Sequence, residues 1–399
     1  MRLLIKNGRV VHPVTGNVQL QDMLLEHGRV GLMEHGLTCE ADRTIDASGL
    51  MVAPGLVDMH VHLRDPGLTY KEDILTGCAA AARGGVTSMA CMANTSPAVD
   101  CPQQVKYVLD RAKAANGVGV YPIAALSLGL RGEEPTDAEA LKAAGAVALS
   151  DDGSNVDNAN LMRDVLIRAR QLWLEGRPAI AEEIMVMRDA MLSEETGARV
   201  HICHVSTARS VDIIRKMKKK GVPITCETCP QYFTLTEDEV LRQGSMARVN
   251  PPLRTKADVH GIIAGLKDGT IDVIATDHAP HSAEEKARSL SRAPSGMIGL
   301  ETSLALTLTQ LYHTKKLDLP GVFRRLSTNP ADILHLARGH MSLGAVADLV
   351  VFDPDEEWTI DPEQFASKAR NTPFAGRRVK GKVKYTIARG EVIYQDERI

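Results

Sequence analysis

Between residues 54 and 343 the chain repeats one pattern, an apolar run of strand length followed by a stretch of helical character. The runs are GLVDMHVHL, TSMACMAN, VGVYPIAALS, AVALSDDG, RVHICHVS, VPITCETCP and DVIATDHAP. Strands buried on both faces read as near-continuous apolar segments, and strands alternating with helices pair in parallel. The pattern predicts a parallel α/β fold of the TIM-like (β/α)8 barrel type, which keeps its active site where the strands end. Polar residues cluster at those ends. Seven runs can be counted, whereas a closed barrel of this kind needs eight. From Asp152 to Arg199 the helical stretches NANLMRDVLIRARQLWLEG and AIAEEIMVMRDAMLSEE follow one another with no strand between them. Something is absent around Gln171 to Pro178: either a true deletion, or a segment of the natural chain that this sequence omits.

The two ends of the chain have a different texture. LLIKNGRVV, DMLLEHGRVGLM and RTIDASGLMVAPG at the start, and GAVADLVVFD and KGKVKYTIARGEVIYQ at the end, read as short strands with NG, HG and RG turns. Residues 1–53 and 344–399 are expected to meet in one small β-sandwich beside a catalytic barrel of residues 54–343.

Hydrophobic residues make up 44% of the chain and charged residues 24%, enough for a substantial core. The formal net charge is −3 and the one basic run, RKMKKKG, reads as the solvated end of a helix, so no nucleic-acid surface is expected. The opening MRLLIKNGRVV lacks the features of a signal peptide, and no apolar segment reaches the roughly 20 residues that span a bilayer. Seven scattered cysteines fit a reduced, cytoplasmic protein better than a disulfide framework. CETC (Cys226 to Cys229) has redox or zinc spacing but no second pair, and reads as structural.

The chemistry starts at HVHLRDP. Residues two apart on a strand share a face, so His60 and His62 project together from the end of the first run. RVHICHVS places His204 at another strand end, ALSDDGS places Asp151 and Asp152 at a third, and IATDHAPH places Asp277 at the last. Imidazoles and carboxylates converging on one rim suit a divalent transition metal, zinc above all. His201 is an odd number of residues from His204 and His278 follows Asp277 directly, so both are expected to point away. Arg64 offers a fork for a carboxylate. Asn94 in MANTSP and Asn250 in VNPPLR can hydrogen-bond an amide ring, and His281 lies one short turn beyond Asp277.

DMHVHLRDPG, MANTSP, NPPLR and ATDHAPH, with the NTPF segment at Asn371, resemble the bacterial-type dihydroorotases of the amidohydrolase superfamily nearly end to end. The resemblance implies a zinc-dependent cyclic amide hydrolase that cyclises N-carbamoyl-L-aspartate reversibly to L-dihydroorotate in pyrimidine biosynthesis, using a metal-activated hydroxide. It implies His60, His62 and Asp277 as ligands of a first metal, Asp152 as a bridging carboxylate and His204 on a second metal. Asp277 would also serve as catalytic acid and base. Arg64, Asn94 and His281 would hold the substrate's carboxylate, with Asn250 and the Ser295–Gly296 backbone on its ring. Other cyclic amidohydrolases (dihydropyrimidinase, hydantoinase, allantoinase) are the alternative enzymes. An inactive dihydroorotase-like partner of aspartate transcarbamoylase is the alternative of another class. A homodimer is expected, with association with aspartate transcarbamoylase also open.

The departure from the family falls at the missing strand. The family's fifth barrel strand ends in a His-Cys-Glu-like motif whose histidine binds the second metal, whereas here RARQLWLEGRP runs directly between two helical stretches. By comparison with the family's usual spacing, about 28 residues are absent. No histidine lies between Asp152 and Arg199, so a second metal would retain only His204 and a share of Asp152. Gln231 and Tyr232 also replace two histidines usual in the family.

Overall fold

The computed structural model describes residues 1–115, 117–153 and 179–397. The N-terminal part supplies five strands: β1 (Arg2–His12), β2 (Asn17–Glu26), β3 (Arg29–Glu34), β4 (Arg43–Asp46) and β5 (Met51–Pro54). Seven follow in the middle: β6 (Leu56–Val61), β7 (Val86–Cys91), β8 (Gly119–Ala124), β9 (Ala148–Leu149), β10 (Val200–Ile202), β11 (Ile224–Thr228) and β12 (Val273–Ile274). The C-terminal part adds β13 (Leu349–Thr359), β14 (Arg378–Ala388) and β15 (Glu391–Gln395).

The middle strands pair in parallel, as the apolar runs predict. β6 and β7 are buried at every position, whereas β3, at a sheet edge, alternates exposed with covered residues. That contrast is what strands covered on two faces, rather than one, require. Helix Ile74–Arg83 packs its Gly77 and Ala80–Ala82 face inward, and Asp73 caps it by accepting from Thr76 N. Each fully buried Val, Leu or Met in these layers contributes roughly 1.5–3 kcal/mol.

Among the described residues the seven parallel strands fall into two sheets, β6-β7-β8-β9 and β10-β11-β12. On one side the sheets approach through a parallel bridge between Val61 and His278, with His62 N donating to His278 O at 2.9 Å. On the other side β9 and β10 do not pair with each other. This is the interval in which no strand was expected from the sequence; residues 154–178, including the Gln171 to Pro178 segment, lie outside the described residues.

The two ends of the chain share an eight-stranded sheet in the order β15-β14-β13-β5-β1-β2-β3, with β4 beside β1. Leu3, Ile5, Met23, Val52, Leu349, Val351 and Ile387 form an apolar core of its own. Gly55 carries the chain from this sheet into the barrel. A Cβ there would lie 2.3 Å from Thr87 Oγ1, so only glycine allows the close approach. Among the described residues no helix is long and apolar enough to cross a membrane.

Candidate metal centre and active site

The site forms where the parallel strands end. His60 lies within β6 and His62 just after it. Asp152 and Asp277 each follow a strand, β9 and β12, by three residues, and His204 follows β10 by two. His62 Nε2 lies 3.2 Å from Asp277 Oδ1 and 3.6 Å from Asp152 Oδ2. His60 Nε2 lies 3.5 Å from Asp277 Oδ1 and 3.6 Å from Asp152 Oδ1. His204 Nε2 stands 3.4 Å from Asp152 Oδ1. Among the described residues three groups have their donor atoms within 4.8 Å of one another, His60–His62–Asp277, His60–Asp152–His204 and His60–Cys203–Glu227, and the first two include the carboxylates at the strand ends.

The paired aspartates divide their work. Asp151 accepts from the backbone N of Leu126 at 2.8 Å and of Ser127 at 3.1 Å, and so locks the loop after β8. Asp152 points into the cluster. Backbone strain gathers here as well: Arg64, His204 and Asp277 have φ of 59°, 39° and 50°. For L residues this region costs on the order of 1–2 kcal/mol each, and surrounding hydrogen bonds must hold it. In the loop after β6, Gly67 has φ 85° and a Cβ on it would meet Ser96 O at 1.8 Å. That close approach lets Ser96 N donate to Pro66 O at 3.1 Å, joining the loops that carry Arg64 and Asn94.

Electrostatics bind the cluster into one unit. Burial disfavours the charged form of His60, but the Asp152 and Glu227 carboxylates outweigh it and hold the imidazolium well above its ordinary range. Burial likewise opposes charge on Asp152, yet His60, His204 and His62 keep its carboxyl well below the usual carboxylate range. His204 is raised in the same way, burial being overcome by Asp152. A cation fits this arrangement. His60 Nε2 is fully buried without a hydrogen-bond partner while facing two carboxylates. Nitrogen and oxygen donors in this set are those a divalent transition metal takes.

The other expected residues lie around this centre. Arg64, 9% exposed, donates from Nε to Pro280 O at 3.2 Å, and its terminal nitrogen is 3.4 Å from His281 Nε2. Asn94 contacts the cluster itself: Oδ1 is 2.8 Å from His62 Nδ1 and Nδ2 is 3.3 Å from Asp152 Oδ2. Asn250 lines a cavity of about 290 Å³ together with Asp152, His204 and Arg254. His281 Nε2 donates to Ser295 O at 2.8 Å, and burial beside Arg64 depresses its pKa to about 3, so the ring is neutral. Gly296 N donates to Arg248 O, and Gly296 O accepts from Lys286 Nζ and Asn371 Nδ2. His278 turns away as expected, its Nδ1 accepting from Gly299 N. His201 bonds Thr225 and Glu227.

Two buried acids escape sequence reading. Glu227, inside CETC, has Oε1 2.7 Å from His60 Nδ1. Asp58, inside the apolar run before His60, accepts from His60 N and Thr276 N, and burial pushes its carboxyl up to about 6. The available signal was the same for both: a carboxylate in the middle of an otherwise buried strand.

Comparison with known proteins follows the same lines. A family model described as Dihydro-orotase-like matches residues 49–173. A dihydroorotase of Clostridioides difficile is 45% identical over 421 aligned positions, covering 98% of this chain and 99% of the relative. One of Citrifermentans bemidjiense is 46% identical over 424 positions, covering 99% and 100%. Since 424 positions exceed the 399 residues of the chain by 25, that relative has at least 25 residues which this chain lacks. Among solved structures, the L-hydantoinase of Arthrobacter aurescens superposes with a TM-score of 0.87 at 25% identity, covering 98% of this chain and 96% of that one. A dihydropyrimidinase from Brevibacillus agri gives 0.84 at 24%, covering 100% and 96%.

Proposed function

The chain belongs to the dihydroorotases, and from that premise we propose that it interconverts N-carbamoyl-L-aspartate and L-dihydroorotate as a zinc-dependent hydrolase. The observation that carries the proposal is the convergence of His60, His62, Asp152, His204 and Asp277 at the strand ends. His60, His62 and Asp277 would hold the first metal, and Asp152 with His204 would face a second. The chemistry supplied by such a metal when bound is a water acidified toward neutral pH and a polarised amide carbonyl.

The protein's own groups do the rest. Asp277 Oδ1 faces the two histidines, and we assign proton transfer to its other oxygen, Oδ2, which takes the proton from the attacking water and delivers it to the ring nitrogen. In the cyclising direction the same carboxylate receives the proton from the attacking nitrogen. Arg64 supplies a buried guanidinium for the substrate's carboxylate. His281, kept neutral, packs beside it and holds the Ser295 carbonyl. Asn250 is suited to the amide ring from the wall of the cavity. The seven free thiols support a reducing, cytoplasmic setting.

The test is turnover by the purified, zinc-supplemented protein of dihydroorotate beside dihydrouracil, hydantoin and allantoin. A preference for dihydroorotate, lost in Arg64→Ala, is expected. Faster hydrolysis of hydantoin or dihydrouracil would transfer the chain to the activities named for its structural neighbours.

A further inference from the structure

We infer that Glu227 is a positioning residue of this centre, acting through His60; the inference rests on the metal-dependent reading above. Glu227 is completely buried within β11. Its Oε1 lies 2.7 Å from His60 Nδ1 and 3.4 Å from the backbone N of His204, and its Oε2 lies 3.3 Å from His201 Nε2. A buried carboxylate is costly unless its lone pairs are satisfied. Here the partners come from β6 and from the β10 end, so one side chain ties together three strand ends.

The chemistry of the contact fixes the ring. An ionised carboxylate only accepts hydrogen bonds, so His60 Nδ1 carries the hydrogen toward Glu227. Nε2 is then the nitrogen presented to Asp152 and Asp277, and it is the one left without a hydrogen-bond partner. A carboxylate behind a ligating imidazole sets its orientation and raises its basicity. Glu227 could instead be taken as a ligand, since it, His60 and Cys203 also offer donors within 4.8 Å. The distance decides against this. Two atoms bound tetrahedrally to zinc at about 2.0–2.2 Å stand more than about 3 Å apart, and Oε1 and Nδ1 are 2.7 Å apart, a hydrogen-bond separation.

The experiment is zinc affinity of the metal-free protein, measured by competition with a chelating indicator, for the unaltered chain and Glu227→Gln. The variant should bind zinc about 10–100-fold more weakly, with the melting midpoint of its metal-free form close to that of the unaltered chain. Unaltered affinity in Glu227→Gln would overturn the inference alone. No zinc uptake by the unaltered chain would overturn the metal reading and the inference with it. Imidazole nitrogen NMR of the zinc-loaded unaltered protein gives a readout that needs no variant. His60 with its proton on Nδ1 is the expected result, and a proton on Nε2 would refute it.

Discussion

Nε2 of His62 and Oδ1 of Asp277, 215 residues apart in the chain, stand 3.2 Å from each other. The first and last parallel strands therefore end on a common point, and Asp277 is the carboxylate proposed to bind a cation and to move a proton. Asp277→Asn keeps the shape and removes the charge. We expect a fall in kcat of about 10²–10⁴-fold, the range for a lost acid–base group, together with reduced zinc content. Steady-state kinetics and metal analysis on one preparation measure both. Full activity in the variant would remove Asp277 from the mechanism.

Asn94 was expected on the substrate, yet its amide spans His62 and Asp152. Asn94→Ala should leave the His62 ring unheld and weaken zinc binding by about 10–100-fold. Chelator competition reads this directly. A rise in KM for dihydroorotate with zinc affinity unchanged would return Asn94 to a purely substrate-binding role.

What the sequence made legible was whatever local spacing encodes. The i, i+2 pair His60 and His62 declared itself on strand geometry alone, and all seven apolar runs became strands. The β texture of both termini correctly marked residues that share a sheet, but not that β1 pairs in parallel with β4 and β5, because nothing local distinguishes a crossover from a hairpin. Glu227 was hidden within the more conspicuous cysteine spacing of CETC. The left-handed backbone at Arg64, His204 and Asp277 was equally hidden, since tertiary contacts rather than residue preference impose it.

Stability should respond to pH through Glu301. Burial pushes its carboxyl up to about 7 from 4.5, against hydrogen bonds from Ala366 N and Ser367 N and the nearby Arg83. Between those two values the folded chain keeps a proton that the unfolded chain has released, so this group lowers stability as pH rises. The change is on the order of 2 kcal/mol. Urea unfolding of the unaltered chain and of Glu301→Gln at pH 5 and pH 8 isolates it, because groups common to both cancel. The gap between the two proteins should shift in favour of the variant at pH 8; parallel behaviour would show that Glu301 is ionised in the fold.

Metal stoichiometry tests the strand count expected from the sequence. His60, His62 and Asp277, the proposed first ligand set, lie on β6, just after it and beyond β12, away from the interval between β9 and β10. With His60 given to the first, the second has only Asp152 and His204 among the described residues, 3.4 Å apart, and no histidine stands between Asp152 and Arg199 in the sequence to add to them. One imidazole and one shared carboxylate fall short of the three protein ligands a catalytic zinc takes. One equivalent of zinc should therefore survive gel filtration, while a second dissociates to a mild chelator. His204→Ala should leave the tight equivalent in place, and His62→Ala should remove it. Two equivalents held with equal tightness in the unaltered chain would mean that other residues complete the second site and that the shortened chain keeps a full two-metal centre.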